Sequence, residues 1–294
     1  MVELDAHVHI WSSDRRRYPF AAYSVVPPPD RAAPVEQLLA HWDRAGIAGG
    51  VVIQPRVYGD DHRYVAEALA RHPDRLRGVL LVDPVRHFDE ATVRHTYALG
   101  FRGVRMVALG QGSATWLSGA EARPVFRLAD ELGAVVNVLV EAHQLDQVRA
   151  PAARFPDVPI VVDHLGYCGQ WATAGERADL FALADLPNVF LKVSALGALS
   201  RTPAPYPDLT DVIRQSASRF GAARLLWGTD FPHACGYGDY ELARDAAAAQ
   251  LGHLDPTERT MVFGGTAARL YGLRLAGPAD HGLGAITRPS GGSQ

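Results

Sequence analysis

Two histidines and an aspartate from opposite ends of the chain are candidates for one reactive centre. His7 and His9 stand two residues apart on the first apolar segment, and Asp230 follows the last one. Side chains at i and i+2 of a strand point to the same face, so the two imidazoles converge. Such groups can move a proton or polarise a carbonyl. The alternative is a pair of core histidines bonded to backbone carbonyls.

The two ends of the chain can meet only if the fold closes on itself. A (β/α)8 barrel does so, because its first and last strands are neighbours. Apolar runs and turn signals predict eight strands, at Glu3–Ile10, Gly50–Gln54, Arg77–Asp83, Arg102–Val107, Ala134–Val140, Pro159–His164, Val189–Ser194 and Arg224–Asp230. Helical patterns alternate with them, at Val35–Ala45, Tyr64–His72, Ala91–Leu99, Ala122–Leu132, Leu145–Phe155, Arg177–Leu186, Leu209–Phe220 and Tyr240–Leu251, and Asp255–Leu273 adds a further helical segment. This alternation predicts a TIM barrel.

Polar side chains collect at the carboxyl ends of the predicted strands, where barrel enzymes place their chemistry. With a period of two, the inward set is Asp5, His7, His9, Gln54, Arg56, Arg105, Asn137, Glu141, His164, Lys192, Ser194 and Asp230. Polar groups are costly inside a packed barrel unless they are partnered, so this set predicts an active site.

Several of these residues have two interpretations. Arg105 either binds substrate or forms an ion pair with Glu141 or Asp83, and Lys192 either binds an anion or pairs with a carboxylate. Asp5 lies deeper, as a residue that orients a histidine would. Residues on the carboxyl-end loops are expected at the surface, namely His143, Tyr167, Cys168 and His233.

Composition limits the classes of function. The 294 residues are 48% hydrophobic with a net charge of −3, and no basic run or long apolar stretch points to nucleic acid or membrane. Two cysteines, Cys168 and Cys235, make no disulfide framework, so a cytoplasmic location is expected. We expect one domain over residues 1–275 and a disordered tail over 276–294.

Six short motifs carry a resemblance to a known family. They are Asp5-Ala6-His7-Val8-His9, Gln54-Pro55-Arg56, Phe101-Arg102-Gly103-Val104-Arg105, Val162-Asp163-His164-Leu165-Gly166, Leu191-Lys192-Val193-Ser194 and Trp227-Gly228-Thr229-Asp230-Phe231-Pro232. The chain resembles the amidohydrolase superfamily, in the branch that contains sugar-lactone and 2-pyrone-4,6-dicarboxylate lactonases.

The resemblance implies a distorted barrel in which His7, His9 and Asp230 match a divalent-metal site and His164 matches a catalytic histidine. Metal-dependent relatives usually add a histidine or carboxylated lysine on a middle strand, which this chain lacks. We therefore expect either no required cofactor or one weakly bound divalent metal, zinc being the first choice.

These features predict a hydrolase that opens a small, carboxylate-bearing lactone. Asp230 would activate water, while His7, His9 and His164 would polarise the carbonyl. Substrate binding is expected from Arg105, Lys192, Arg56 and Gln54. The alternatives are a metal-dependent non-oxidative decarboxylase of the same superfamily and an amide or cyclic-imide hydrolase. The only partner expected is the small-molecule substrate of a monomer or homodimer.

Overall fold

Eight parallel strands form the centre of the molecule. The computed structural model describes residues 2–109, 115–233 and 239–273. The strands pair in chain order from β1 to β8. Their bounds are β1 Glu3–Val8, β2 Ile47–Ile53, β3 Leu76–Leu81, β4 Phe101–Val107, β5 Val135–Leu139, β6 Ile160–Val162, β7 Val189–Ser194 and β8 Leu225–Gly228.

Backbone contacts between the first strand and the segment after the last strand close the barrel. The Asp230 N–H donates to the His7 carbonyl at 2.8 Å, and the His9 N–H donates to the Phe231 carbonyl at 2.7 Å. Val8 and Phe231 form a parallel bridge at the same point. The predicted fold class, a TIM barrel, is confirmed.

Helices surround the strands. Their bounds are α1 Val35–Ala45, α2 Arg63–Arg71, α3 Glu90–Tyr97, α4 Arg123–Leu132, α5 Arg149–Arg154, α6 Ala174–Ala182, α7 Leu196–Leu199, α8 Thr210–Phe220, α9 Tyr240–Gln250, α10 Pro256–Thr260 and α11 Thr266–Tyr271. Glycines end three of them in the left-handed conformation, namely Gly46 after α1, Gly133 after α4 and Gly272 after α11.

The predicted helix over Leu145–Phe155 is divided. A 3-10 segment runs over Ala142–Val148, and α5 begins only at Arg149. Pro151 explains the late start of the α-helix, because it has no N–H to bond with the carbonyl four residues earlier.

The last helical segment packs against the first strand. A π turn over Met261–Gly265 separates α10 from α11. A Cβ on Gly264 would lie 2.5 Å from the carbonyl oxygen of Val2, so only glycine permits this approach.

No helix in the described ranges is long and apolar enough to cross a membrane. Cys235 and the predicted tail lie outside the described residues.

Candidate active site

The structure brings the two histidines of β1 and the aspartate after β8 together. His7 Nε2 lies 3.3 Å from His9 Nε2. Asp230 Oδ1 lies 3.6 Å from His7 Nε2 and 3.3 Å from His9 Nε2. All three residues are buried, at the carboxyl ends of neighbouring strands.

The spacing of these three atoms suits a metal ion. Bonds of about 2.0–2.1 Å to a tetrahedral zinc place any two ligand atoms about 3.3–3.4 Å apart. The separations of 3.3, 3.3 and 3.6 Å are close to that value. The donor set therefore fits three corners of a tetrahedral site, with the fourth left for water or substrate.

Second contacts orient both imidazoles. His9 Nδ1 lies 2.9 Å from the Ile53 carbonyl, which can only accept, so the His9 proton is on Nδ1 and Nε2 carries a lone pair. His7 Nδ1 faces two groups of opposite kind, Lys192 Nζ at 3.2 Å and Asp163 Oδ1 at 3.4 Å.

His164 completes a cluster of imidazoles. Its ring lies 4.5 Å from that of His7, and its Nδ1 lies 2.9 Å from Ser194 Oγ on β7. The backbone at His164 has a φ of 54°, and Asp230 has a φ of 59°. Non-glycine residues rarely adopt this left-handed conformation, and such strain concentrates at functional sites.

Asp163 is a central residue that sequence reasoning missed. It is fully buried and lies 3.1 Å from Lys192 Nζ, while Arg105 Nε donates to its other oxygen at 2.9 Å. Burial alone would raise the pKa of Asp163, but the two cations hold it well below its usual value. The strand period could have found it, because Asp163 follows the inward Val161 by two residues.

Arg105 and Lys192 contact the same carboxylate. Both cations pair with Asp163, so the partners proposed for Arg105, Glu141 and Asp83, are not the ones used. Arg105 also lines a cavity of about 260 Å³ beside the histidines, whereas Lys192 lies behind His7.

Burial sets the protonation of the site. It lowers the pKa of His9 to about 3 and that of His164 to about 4, and it lowers the pKa of His7 well below its usual value. These imidazoles are therefore neutral near pH 7. Burial also raises the pKa of Asp230, while the nearby His164 opposes that effect.

Asp5 fastens β1 to the loop that carries Asp230. Its carboxylate accepts the backbone N–H groups of His7 and Thr229, at 3.1 and 3.0 Å, and the hydroxyl of Tyr240 at 2.8 Å. Burial raises the pKa of Asp5 to about 6. Asp5 thus contacts the backbone of His7 and not its ring, and its expected role, orientation of a histidine, stays a prediction.

A cavity of about 260 Å³ opens beside the cluster. Its polar lining residues are His9, Arg56, Arg105, His164, Tyr167, Asp230 and His233. A second, larger cavity of about 870 Å³ shares Arg56 and Leu109 with it but contains none of the clustered histidines.

Four placements differ from the sequence expectations, and the first is Cys168, which is fully buried instead of lying at the surface. Tyr167 and His233, expected at the surface, line the 260 Å³ cavity, and the His233 ring lies 5.0 Å from that of His9. Their positions next to His164 and Asp230 were the available signal. Gln54 is fully buried and away from the lining, because its amide donates to the carbonyls of Gly59 and Asp61.

The comparison with protein families matches the amidohydrolase profile over residues 4–273. The chain belongs to the amidohydrolase family. It is 30% identical over 237 residues to the 4-sulfomuconolactone hydrolase of Rhizobium radiobacter, covering 80% of this chain and 77% of that one.

Two further similarities cover nearly the whole chain. The L-fucono-1,5-lactonase of Burkholderia ambifaria is 29% identical over 294 residues, covering 91% of this chain and 94% of that one. A crystal structure of a candidate 2-pyrone-4,6-dicarboxylic acid hydrolase from Pseudomonas putida superposes with a TM-score of 0.80 at 28% identity, covering 93% and 98% of the two chains. The family is an enzyme family, and both curated relatives hydrolyse lactones by name.

Proposed function

We propose that this amidohydrolase opens a lactone that carries a carboxylate or sulfonate. The observation that carries the proposal is the convergence of His7, His9 and Asp230 beside a cavity lined by two arginines, Arg56 and Arg105. Relatives named for 4-sulfomuconolactone and L-fucono-1,5-lactone support the choice of lactone.

Asp230 acts as the general base. It takes a proton from a water molecule whose oxygen then bonds to the lactone carbonyl carbon. Collapse of the tetrahedral intermediate breaks the ring C–O bond, and Asp230 returns the proton to the departing alkoxide. The product is a hydroxy acid. The raised pKa of Asp230 suits this role, because a base works best when its pKa approaches the working pH.

Among the neutral imidazoles, His164 can stabilise the oxyanion with an N–H on Nε2, whereas His9 has its proton on Nδ1, facing the Ile53 carbonyl, and has no N–H left to donate. Removing one oxyanion donor in a hydrolase typically costs about 3 kcal/mol of transition-state stabilisation. His164 is held by Ser194 on its Nδ1 side, which leaves Nε2 for the substrate. When held by His7, His9 and Asp230, a divalent metal supplies Lewis-acid polarisation of a carbonyl.

The arginines bind the anionic substituent. Arg56 is half-buried at the cavity wall, and no carboxylate in the described ranges pairs with it. A guanidinium in that situation can accept a carboxylate or sulfonate by two parallel hydrogen bonds.

A pH-indicator assay over a lactone panel tests the function. The panel contains 4-sulfomuconolactone, 2-pyrone-4,6-dicarboxylate and L-fucono-1,5-lactone, each with and without a chelator. We expect acid release from at least one anionic lactone, with turnover at least 100-fold lower in Asp230→Asn. Absence of ring opening across the panel, with and without added zinc, would overturn the proposal.

A further inference from the structure

Lys192 is the only lysine in the chain, and every other Lys/Arg position is arginine. It is fully buried on β7 and contacts His7 Nδ1 and Asp163 Oδ1, at 3.2 and 3.1 Å. An ammonium is a compact donor, whereas a guanidinium is a wide planar fork. The one position where this chain uses lysine is thus the one directly behind an imidazole of the candidate site.

The contacts form a hydrogen-bond chain with a single direction. Lys192 has only N–H groups to offer, so His7 Nδ1 accepts and the His7 proton is on Nε2. His7 Nε2 then donates to His9 Nε2 at 3.3 Å, and His9 Nδ1 donates to the Ile53 carbonyl. Each ring nitrogen of His7 and His9 is then paired donor to acceptor, and the His7 Nε2 hydrogen also faces Asp230 Oδ1 at 3.6 Å. The one contact left between two acceptors is that of His9 Nε2 with Asp230 Oδ1, at 3.3 Å.

The opposite arrangement places the His7 proton on Nδ1, facing Asp163. This contact is the longer one, at 3.4 Å, and Asp163 Oδ1 accepts no hydrogen bond of good geometry from the described residues. It would also turn the Nε2 lone pairs of His7 and His9 towards each other at 3.3 Å, which is unfavourable unless a cation lies between them.

We propose that Lys192 is a positioning residue that holds the His7 proton on Nε2, so that the site works through an N–H donor and binds divalent metal weakly. A metal ligand must present a lone pair, and His7 can present one at Nε2 only if its proton moves to Nδ1, against the Lys192 ammonium. The proposal uses the same site as the proposed lactonase, but its tests need no lactone.

The first test reads the position of the proton directly. In metal-free protein labelled with ¹⁵N-histidine, the ring nitrogens of His7 are identified by their loss in His7→Asn. We expect a protonated Nε2 in the wild type and a protonated Nδ1 in Lys192→Met, which keeps the length of the side chain but removes the donor. A wild-type His7 protonated on Nδ1 would refute the proposal, whether or not the variant folds.

The second test measures zinc affinity by calorimetry. We expect Lys192→Met to bind zinc about 10- to 100-fold more tightly than the wild type, the range typical of changes behind a metal-ligating histidine. Arg56→Met is the matched control, because it removes one positive charge beside the cavity without touching His7. Equal tightening in both variants, or none in Lys192→Met, would refute the role of the hydrogen bond.

A single labelled resonance gives a third readout. Because Lys192 is the only lysine, ¹³Cε-lysine labelling places one side-chain signal in the spectrum. Zinc titration of the wild type should shift this signal in step with binding. The signal should respond in the same way in Arg56→Met. A signal that zinc occupancy leaves unchanged would contradict the contact proposed.

Discussion

The backbone N–H of Asp230 donates to the carbonyl oxygen of His7 at 2.8 Å. This hydrogen bond is one of the two that close the barrel, and it sets the carboxylate beside the two imidazoles. Asp230 adopts a φ of 59° there, a conformation that aspartate and asparagine tolerate better than most residues. Asp230 thus takes part in closing the barrel, has a strained backbone conformation and supplies the proposed general base.

We expect Asp230→Asn to lose activity without losing stability. Turnover should fall about 10²- to 10⁴-fold, the usual contribution of a general base. The raised pKa means that ionised Asp230 costs folding free energy above its ordinary pKa of 3.8. Near pH 7 the free energy of unfolding of Asp230→Asn should therefore equal or exceed that of the wild type, as urea unfolding can measure.

Asp230→Ala is the matched control for the backbone. Alanine tolerates a positive φ less well than asparagine, so this variant should be less stable than Asp230→Asn while equally inactive. An Asp230→Asn variant that retains full turnover would remove Asp230 from the mechanism.

The pH–rate profile should have an acid limb set by Asp230. A general base works only when ionised, and the pKa of Asp230 is raised above 3.8 by burial. The value of kcat/KM should consequently fall about tenfold per pH unit below a midpoint that lies above pH 3.8. A stopped-flow assay with a stable lactone measures this, and a midpoint below 3.8 would contradict the assignment.

Asp163→Asn should destabilise the fold. The change leaves Lys192 and Arg105 buried without their shared anion, and breaking a buried ion pair typically costs about 3–5 kcal/mol. The loss should appear in the free energy of unfolding at pH 7. Since the pKa of Asp163 is held well below its usual value, its contribution is present above about pH 4 and is lost only in strong acid.

The double variant Asp163→Asn/Lys192→Met separates charge from packing. Removing the unpaired ammonium together with the carboxylate should restore part of the lost stability. Additive losses from the two changes would mean that the Asp163–Lys192 contact contributes no coupling energy.

Arg56→Ala should weaken binding of anionic lactones selectively. Losing a hydrogen bond between charged groups costs about 1.5–3 kcal/mol, so KM should rise about 10- to 100-fold while kcat changes little. The methyl ester of the same lactone is the control, and its KM should be unaffected. An equal rise for acid and ester would indicate a general loss of cavity shape.

The sequence alone determined the elements and the barrel. Alternating apolar runs and helical patterns identified eight strands, because each period follows from backbone geometry whatever the neighbours are. It also predicted that His7, His9 and Asp230 lie together, because the phase of a strand fixes the face on which a side chain lies, and it placed His164 at the carboxyl end of the sixth strand. The division of the predicted helix over Leu145–Phe155 was foreseeable in part, since Pro151 stands in its middle.

Only the tertiary structure decided which polar groups pair and which face the cavity. Arg105 and Lys192 have the same strand phase as the histidines, yet both turn to Asp163, a residue from another strand. Gln54 is likewise held by the loop that follows it. The phase of a strand predicts the face on which a side chain lies but not how deeply it is buried. The partner that a side chain contacts depends on distances between segments far apart in the chain. The hydrogen-bond direction at His7 depends on such distances, which exist only once the barrel has closed.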